Sequence, residues 1–165
     1  MTALSNNKTA CAHPIQVSHL GVQQDFERDL PTRTAILKRR FAAASGGSHT
    51  PARAQWASGA FMAFNSAAFR GIAGFDERYF MYCEDVDICL RLQLAGYQLA
   101  RADTTVVHHA KRQSLKNFRH LAWHVCSLLR LWNSASNKAC LLKYANSKPL
   151  GVCTPSASRP HRARD

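Results

Sequence analysis

The sequence predicts a mixed α/β domain, on three observations. A short apolar run, Ala57-Ser58-Gly59-Ala60-Phe61-Met62-Ala63-Phe64, is bounded by turn residues as a buried strand would be. Two segments, near residues 84–95 and 115–132, repeat apolar residues at helical spacing. Between them lies a β-branched stretch, Thr104-Thr105-Val106-Val107. At 165 residues the chain holds one domain, or half of a larger one.

Taken in order, residues 1–54 are weakly patterned. Pro31, Ser45-Gly46-Gly47-Ser48 and Pro51 mark loops, and a short helix is expected over 34–41, capped by Thr32 or Thr34. From residue 55 the pattern sharpens, and 55–133 reads as the structured region. Asn65 or Ser66 can cap a brief helix through Phe69, ended by Gly71 and Gly74. Over 84–95, Val86, Cys89, Leu90 and Leu94 form an apolar stripe with Arg91 and Gln93 off it, and Gly96 stops the helix. Two short strands are expected at 97–100 and 104–107, ending at His108-His109. A basic amphipathic helix follows, with Leu115, Phe118, Ala122, Val125, Leu129 and Trp132 on one face. An apolar stripe of this kind usually packs on a core; docking on an anionic membrane is the other reading. From Ser134 to Asp165 small, polar and basic residues with Pro149, Pro155 and Pro160 suggest a disordered basic tail.

The formal charge is +12 and unevenly placed. Residues 1–103 hold 11 Lys+Arg against 9 Asp+Glu, whereas 104–164 hold 11 Lys+Arg and no acid. The second part therefore suits an anionic membrane surface or polymer. No helix-turn-helix, zinc-finger or RNA-recognition pattern occurs, so nucleic acid is not an expected partner. None of the six cysteines forms a C-x-x-C pair, and Met1–Lys8 lacks an apolar leader core. Reduced thiols are expected, with a cytoplasmic location that extends to peripheral attachment on the inner face of the cytoplasmic membrane.

Five of the ten acidic residues fall between Asp76 and Asp87. Glu84 and Asp85, with Asp87 behind, open the first predicted long helix. Carboxylates there stabilise the free N–H groups of a helix start. They equally suit a general base held among like charges, whose pKa neighbouring acids raise. Trp56, Ser58 and Gly59 read either as a core aromatic beside small residues or as a flat surface on which a sugar ring stacks. His108, at a strand end, is either a surface imidazole or a ligand for a divalent metal.

These residues occur in an order that resembles the C-terminal half of family 2 glycosyltransferases, in their bacterial rhamnosyltransferase-like branch. The resemblance runs through Trp56-Ala57-Ser58-Gly59-Ala60-Phe61-Met62, then Phe69-Arg70-Gly71-Ile72-Ala73-Gly74-Phe75-Asp76-Glu77-Arg78-Tyr79-Phe80-Met81-Tyr82-Cys83-Glu84-Asp85-Val86-Asp87-Ile88-Cys89-Leu90-Arg91. It continues through Ala95-Gly96-Tyr97, His108, Lys111-Arg112-Gln113-Ser114, Trp123-His124, Ser127 and Arg130. It implies a partial GT-A type fold, the C-terminal half of a mixed sheet with flanking helices, followed by the basic helix. It implies Asp85 as the base that deprotonates the acceptor hydroxyl, assisted by Glu84. Trp56, Ser58 and Gly59 would lie near the acceptor sugar, and His108 would help hold Mg²⁺ or Mn²⁺. The implied reaction is inverting transfer, with rhamnose the expected sugar, from a nucleotide-sugar donor to a saccharide or lipid-linked acceptor of a cell-surface polysaccharide.

The chain departs from that pattern before Trp56. Family members begin with alternating strands and helices that bind the nucleotide and end in a D-x-D type motif. Here that region carries only Asp25, Glu27 and Asp29 as acids and shows no buried parallel-strand run. Arg101-Ala102-Asp103 also stands where the strand before His108 usually carries a proline. The expectation is an acceptor-and-base half that is inactive alone, with an uncovered sheet edge. A non-catalytic basic module on an anionic membrane or polymer is the competing reading.

Overall fold

The central strand comes from a stretch without a strand signature. In the computed structural model, which describes residues 8–18, 21–22, 27–28, 30–32, 56–107 and 118–145, β1 (Thr9–Val17) lies between two neighbours. It pairs antiparallel with β4 (Ala63–Phe64) and parallel with β5 (Gln98–Val107). Its first six residues are all buried, so both faces are covered. This corrects the expectation that no buried parallel strand precedes Trp56. The buried part of β1 is built largely of Thr, Ala and Cys, and such small residues give neither alternation nor a β-branched run. The β1–β5 register shifts between His13 and Ile15, where Pro14 has no N–H to give the ladder.

The apolar run from Ala57 to Phe64 is not one strand. β3 (Trp56–Ala57) pairs with β2 (Glu27–Arg28) in a separate two-stranded sheet, while β4 joins β1. A turn at Gly59-Ala60 separates them. The two strands expected at 97–100 and 104–107 are one strand, β5. The helix expected over 34–41 lies outside the described residues.

Asn65 caps α1 (Ser66–Gly71), its Oδ1 accepting the N–H groups of Ala67 and Ala68 at 3.0 and 3.1 Å. Gly74 then turns the chain at φ +66, and a Cβ there would meet the Phe69 ring at 3.0 Å. Phe64, Phe69 and Phe75 pack edge-on or tilted around this turn. Next, α2 (Glu84–Leu94) forms the centre of the core. Val86, Ile88, Cys89, Leu90 and Leu92 are at most 2% exposed, and Asp87 and Gln93 are buried too. The helix is enclosed on nearly all sides, which is wider than the stripe its spacing predicts. Each fully buried aliphatic side chain contributes about 1.5–3 kcal/mol.

Two helices follow, α3 (Phe118–Asn133) and α4 (Ala135–Ala145). The structure corrects the disordered tail expected from Ser134, because α4 packs on α2. Ser134 Oγ accepts the Asn137 N–H at 3.1 Å, and Cys140 is fully buried. Ser136 Oγ donates to Asp87 Oδ1 at 3.1 Å, and Lys143 Nζ donates to the Gln93 carbonyl at 3.1 Å. Residues 146–165 lie outside the described part.

The orientation of α3 is also a correction to the core-packing reading. Its apolar stripe faces solvent, with Phe118 84%, Val125 46% and Leu129 47% exposed. The buried residues of this helix are Ser127 and Leu131. Its inner side is mixed: Leu128 and Leu131 reach the core, while His120 and Ser127 hydrogen-bond to the loop before α2.

Candidate active site

The two motifs of the sequence meet at one hydrogen bond. The Gly59 N–H donates to Asp85 Oδ2 at 2.9 Å. Asp85 Oδ1 accepts the Val86 N–H at 2.8 Å, so this carboxylate holds both its own helix start and the turn after β3. A Cβ on Gly59 would sit 3.1 Å from Asp85 Cβ and 3.4 Å from Oδ2, so glycine lets the turn approach this closely.

Glu84 is half-buried beside it. Its Oε2 is buried with no hydrogen-bond partner among the described residues. Burial, reinforced by the Asp85 charge, raises its carboxyl above the ordinary range, while a hydrogen bond from its own backbone opposes that shift. Asp76 and Asp87 have structural partners, and Glu77 is exposed. Asp76 is held below the usual carboxylate range, chiefly by the Arg78 guanidinium hydrogen-bonded to it at 2.6–3.0 Å. Asp87, 2% exposed, accepts Arg91 Nε at 2.7 Å, and Arg91 Nη1 donates to the Ile72 carbonyl at 2.7 Å. Of the five clustered acids, Glu84 and Asp85 alone combine partial burial with proximity to the Gly59 turn.

The helix start is strained. Tyr82 and Cys83 hold φ of 70 and 66, left-handed values that cost L-residues roughly 1–2 kcal/mol each. Cys83 offers no side-chain cap. The conformation is held from outside, by the inner face of α3. Arg130 donates to the Arg78 carbonyl, and its guanidinium lies 5.8 Å from the Tyr79 ring centroid. Trp123 packs on Phe80 at 5.1 Å, and Ser127 Oγ donates to the Met81 carbonyl at 2.7 Å. The Tyr82 hydroxyl is 3.0 Å from His120 Nδ1, and its ring is 5.0 Å from His124. Burial lowers the pKa of His124, which favours a neutral imidazole there.

Trp56 is only 8% exposed and belongs to the core cluster, so it presents little surface to a sugar. Ser58 is half-buried and Gly59 exposed at the turn above Asp85. His108 lies outside the described residues. Among the described residues no group of three His, Cys, Asp or Glu side chains could hold a metal ion. No described helix is long and apolar enough to cross a membrane.

Sequence reasoning singled out the two motifs but not the support from α3. Trp123, His124, Ser127 and Arg130 entered it only through the resemblance. Phe80, Tyr82 and His120 carried no separate signal, because aromatic and imidazole side chains in a loop and a basic helix are ordinary.

Residues 6–131 match the glycosyl transferase family group 2. The rhamnosyltransferase WbbL of Escherichia coli (strain K12) is 40% identical over 77 residues, covering 46% of this chain and 29% of that protein. The N-acetylglucosaminyl-diphospho-decaprenol L-rhamnosyltransferase of Mycobacterium tuberculosis (strain CDC 1551 / Oshkosh) is 42% identical over 71 residues, 42% of this chain and 23% of that protein. The aligned segments thus span less than a third of these relatives. No solved structure matches the chain significantly. The family match spans most of the chain and includes both β1 and the Gly59–Asp85 contact. This chain belongs to glycosyl transferase family group 2.

Proposed function

We propose that this chain carries the acceptor-and-base side of an inverting glycosyltransferase, with Asp85 as the base. The observation behind this reading is the Gly59 N–H bond to Asp85 Oδ2, at the start of a helix that follows two strained residues, Tyr82 and Cys83. A backbone donor fixes the carboxylate without neutralising it, and Asp85 remains partly accessible. The acceptor hydroxyl oxygen bonds to the anomeric carbon as the bond from that carbon to the diphosphate oxygen breaks. The nucleoside diphosphate leaves with the electron pair, and the hydroxyl proton passes to Asp85. Glu84, whose carboxyl burial raises in pKa, stands next to the base and assists it on this reading. No step is routed through a metal ion.

The names of the relatives support rhamnose as the sugar, and the second supports a lipid-linked saccharide acceptor. A nucleotide-sugar donor completes the proposed reaction. The aligned segment is under a third of those proteins, so the donor side of the site is taken to lie outside it. On this reading the chain by itself transfers no sugar.

The test is a graft. The aligned segment of the Escherichia coli relative is replaced by the matching segment of this chain, and rhamnose transfer to a lipid-linked acceptor is measured. The graft should transfer, and Asp85→Asn should lower the rate by about 10²–10⁴-fold, the usual contribution of a general base. An Asp85→Asn graft that keeps most of the rate would refute the assignment.

A further inference from the structure

We propose that the outer face of α3 docks this chain on an anionic lipid surface, with its apolar stripe lying in the headgroup–acyl boundary. This goes beyond sugar transfer and holds whether or not the chain is catalytic.

The inner side of the helix is mixed, with Ser127 and Leu131 buried and Leu128 packed on the core. His120 and Ser127 reach the 78–82 loop, while Phe118, Leu121, Val125 and Leu129 are 84, 40, 46 and 47% exposed. These four recur at steps of three, four and four, so they form one continuous strip along the helix. Phe80 extends the apolar surface at one side, 75% exposed and packed on Trp123. Exposed apolar surface concentrated on one helix face marks an interaction site more often than scattered exposure does.

Charge selects the occupant. Arg119 is exposed beside the strip, and residues 104–164 hold 11 Lys+Arg and no acid. A second copy of this chain would bring an equally basic region against it, which repels. Nucleic acid would meet the basic residues but leave the phenylalanine and leucine strip in water. An anionic bilayer satisfies both, because apolar side chains enter the acyl boundary while basic side chains stay among lipid phosphates.

The test uses the full chain in vesicle flotation. Vesicles of phosphatidylcholine with about 30 mol% phosphatidylglycerol should carry the protein, pure phosphatidylcholine vesicles should carry at least about tenfold less, and salt should weaken the binding. The paired variant Val125→Ser with Leu129→Ser changes no charge and touches only exposed positions, so its thermal melt should match wild type. Its binding to the anionic vesicles should fall by about tenfold or more. Binding unchanged in this variant would overturn the proposal, since basic residues elsewhere would then account for it. Equal binding to both vesicle types would also overturn it, as would no binding to either. A concentration-dependent dimer in sedimentation that the paired variant abolishes would assign the strip to a second copy instead.

Discussion

Gly59 sits so close to Asp85 that its N–H reaches Oδ2 at 2.9 Å while a Cβ would stand 3.1 Å from the Asp85 Cβ. One residue thus supplies both the hydrogen bond and the space for it. Gly59→Ala must displace the Asp85 side chain or the turn by a few tenths of an ångström. Because the carboxylate would be misplaced rather than lost, the graft should lose about tenfold to a hundredfold in transfer rate. Its melting temperature should move only slightly, since the turn is exposed. A transfer rate equal to wild type would show that the contact does not position the base.

Asp85 and Asp87 are two residues apart and should fail in opposite ways. Asp87→Asn breaks a buried pair with Arg91 and weakens the bond from Ser136 that fastens α4. Since Arg91 is partly exposed, the loss should fall near the low end for such pairs, about 3 kcal/mol by denaturant unfolding. Asp85→Asn should leave stability within about 1 kcal/mol and remove transfer. Unfolding curves for the two variants, measured side by side, check the contrast.

His13 should make the fold acid-sensitive. Burial, with a smaller contribution from Arg101, lowers its pKa from 6.5 to about 4. A histidine that is harder to protonate when folded leaves stability intact above pH 6.5 and removes it as pH falls from there towards about 4. The loss is bounded at roughly 3 kcal/mol. Replacing the imidazole by an uncharged amide, His13→Asn, should flatten that acid limb in melting experiments at a series of pH values. An unchanged limb would place the sensitivity elsewhere.

Glu84 works in the other direction. Its raised folded pKa means the protonated form suits the fold, so stability falls as pH rises from the unfolded value through the folded one. Glu84→Gln should therefore melt higher than wild type at neutral pH. The difference should vanish at pH values where both states of the wild-type residue are protonated. A variant that melts lower at neutral pH would mean that the ionised carboxylate stabilises the fold.

Ala73 offers a check on backbone strain away from the chemistry. It is exposed at φ 60, a region where alanine is disfavoured. Ala73→Gly should raise stability by roughly 0.5–1 kcal/mol, the relieved strain exceeding the added freedom of the unfolded chain.

What the sequence displayed depended on contrast between neighbouring residues. α2 was legible because Val86, Cys89 and Leu90 alternate with polar residues, and α1 because Asn65 is a strong cap. β1 was not legible. Ala10, Cys11 and Ala12 are buried by what lies above and below them, and small residues carry no periodic signal. α4 stayed hidden because its attachments are isolated ones, Cys140 in the core, Ser136 to Asp87 and Lys143 to Gln93, made to residues about fifty positions away. The orientation of α3 was beyond periodicity altogether. Spacing shows that a helix has an apolar side, and the partners of His120 and Ser127 decide which way that side points. At the site, Glu84 and Asp85 stood out by composition, but the Gly59 contact across 26 residues is visible only once the chain is folded.

The run from Arg78 to Tyr82 is braced against α3 at every residue. Arg78 and Tyr79 meet Arg130, Phe80 meets Trp123, Met81 meets Ser127, and Tyr82 meets His124 and His120. The run bends, and Tyr82 takes a left-handed φ of 70, so its shape is set by these contacts rather than by its own preference. A single replacement there would cost one contact. Adding or removing one residue would displace several at once, immediately before Glu84 and Asp85, so spacing here is guarded more strictly than identity.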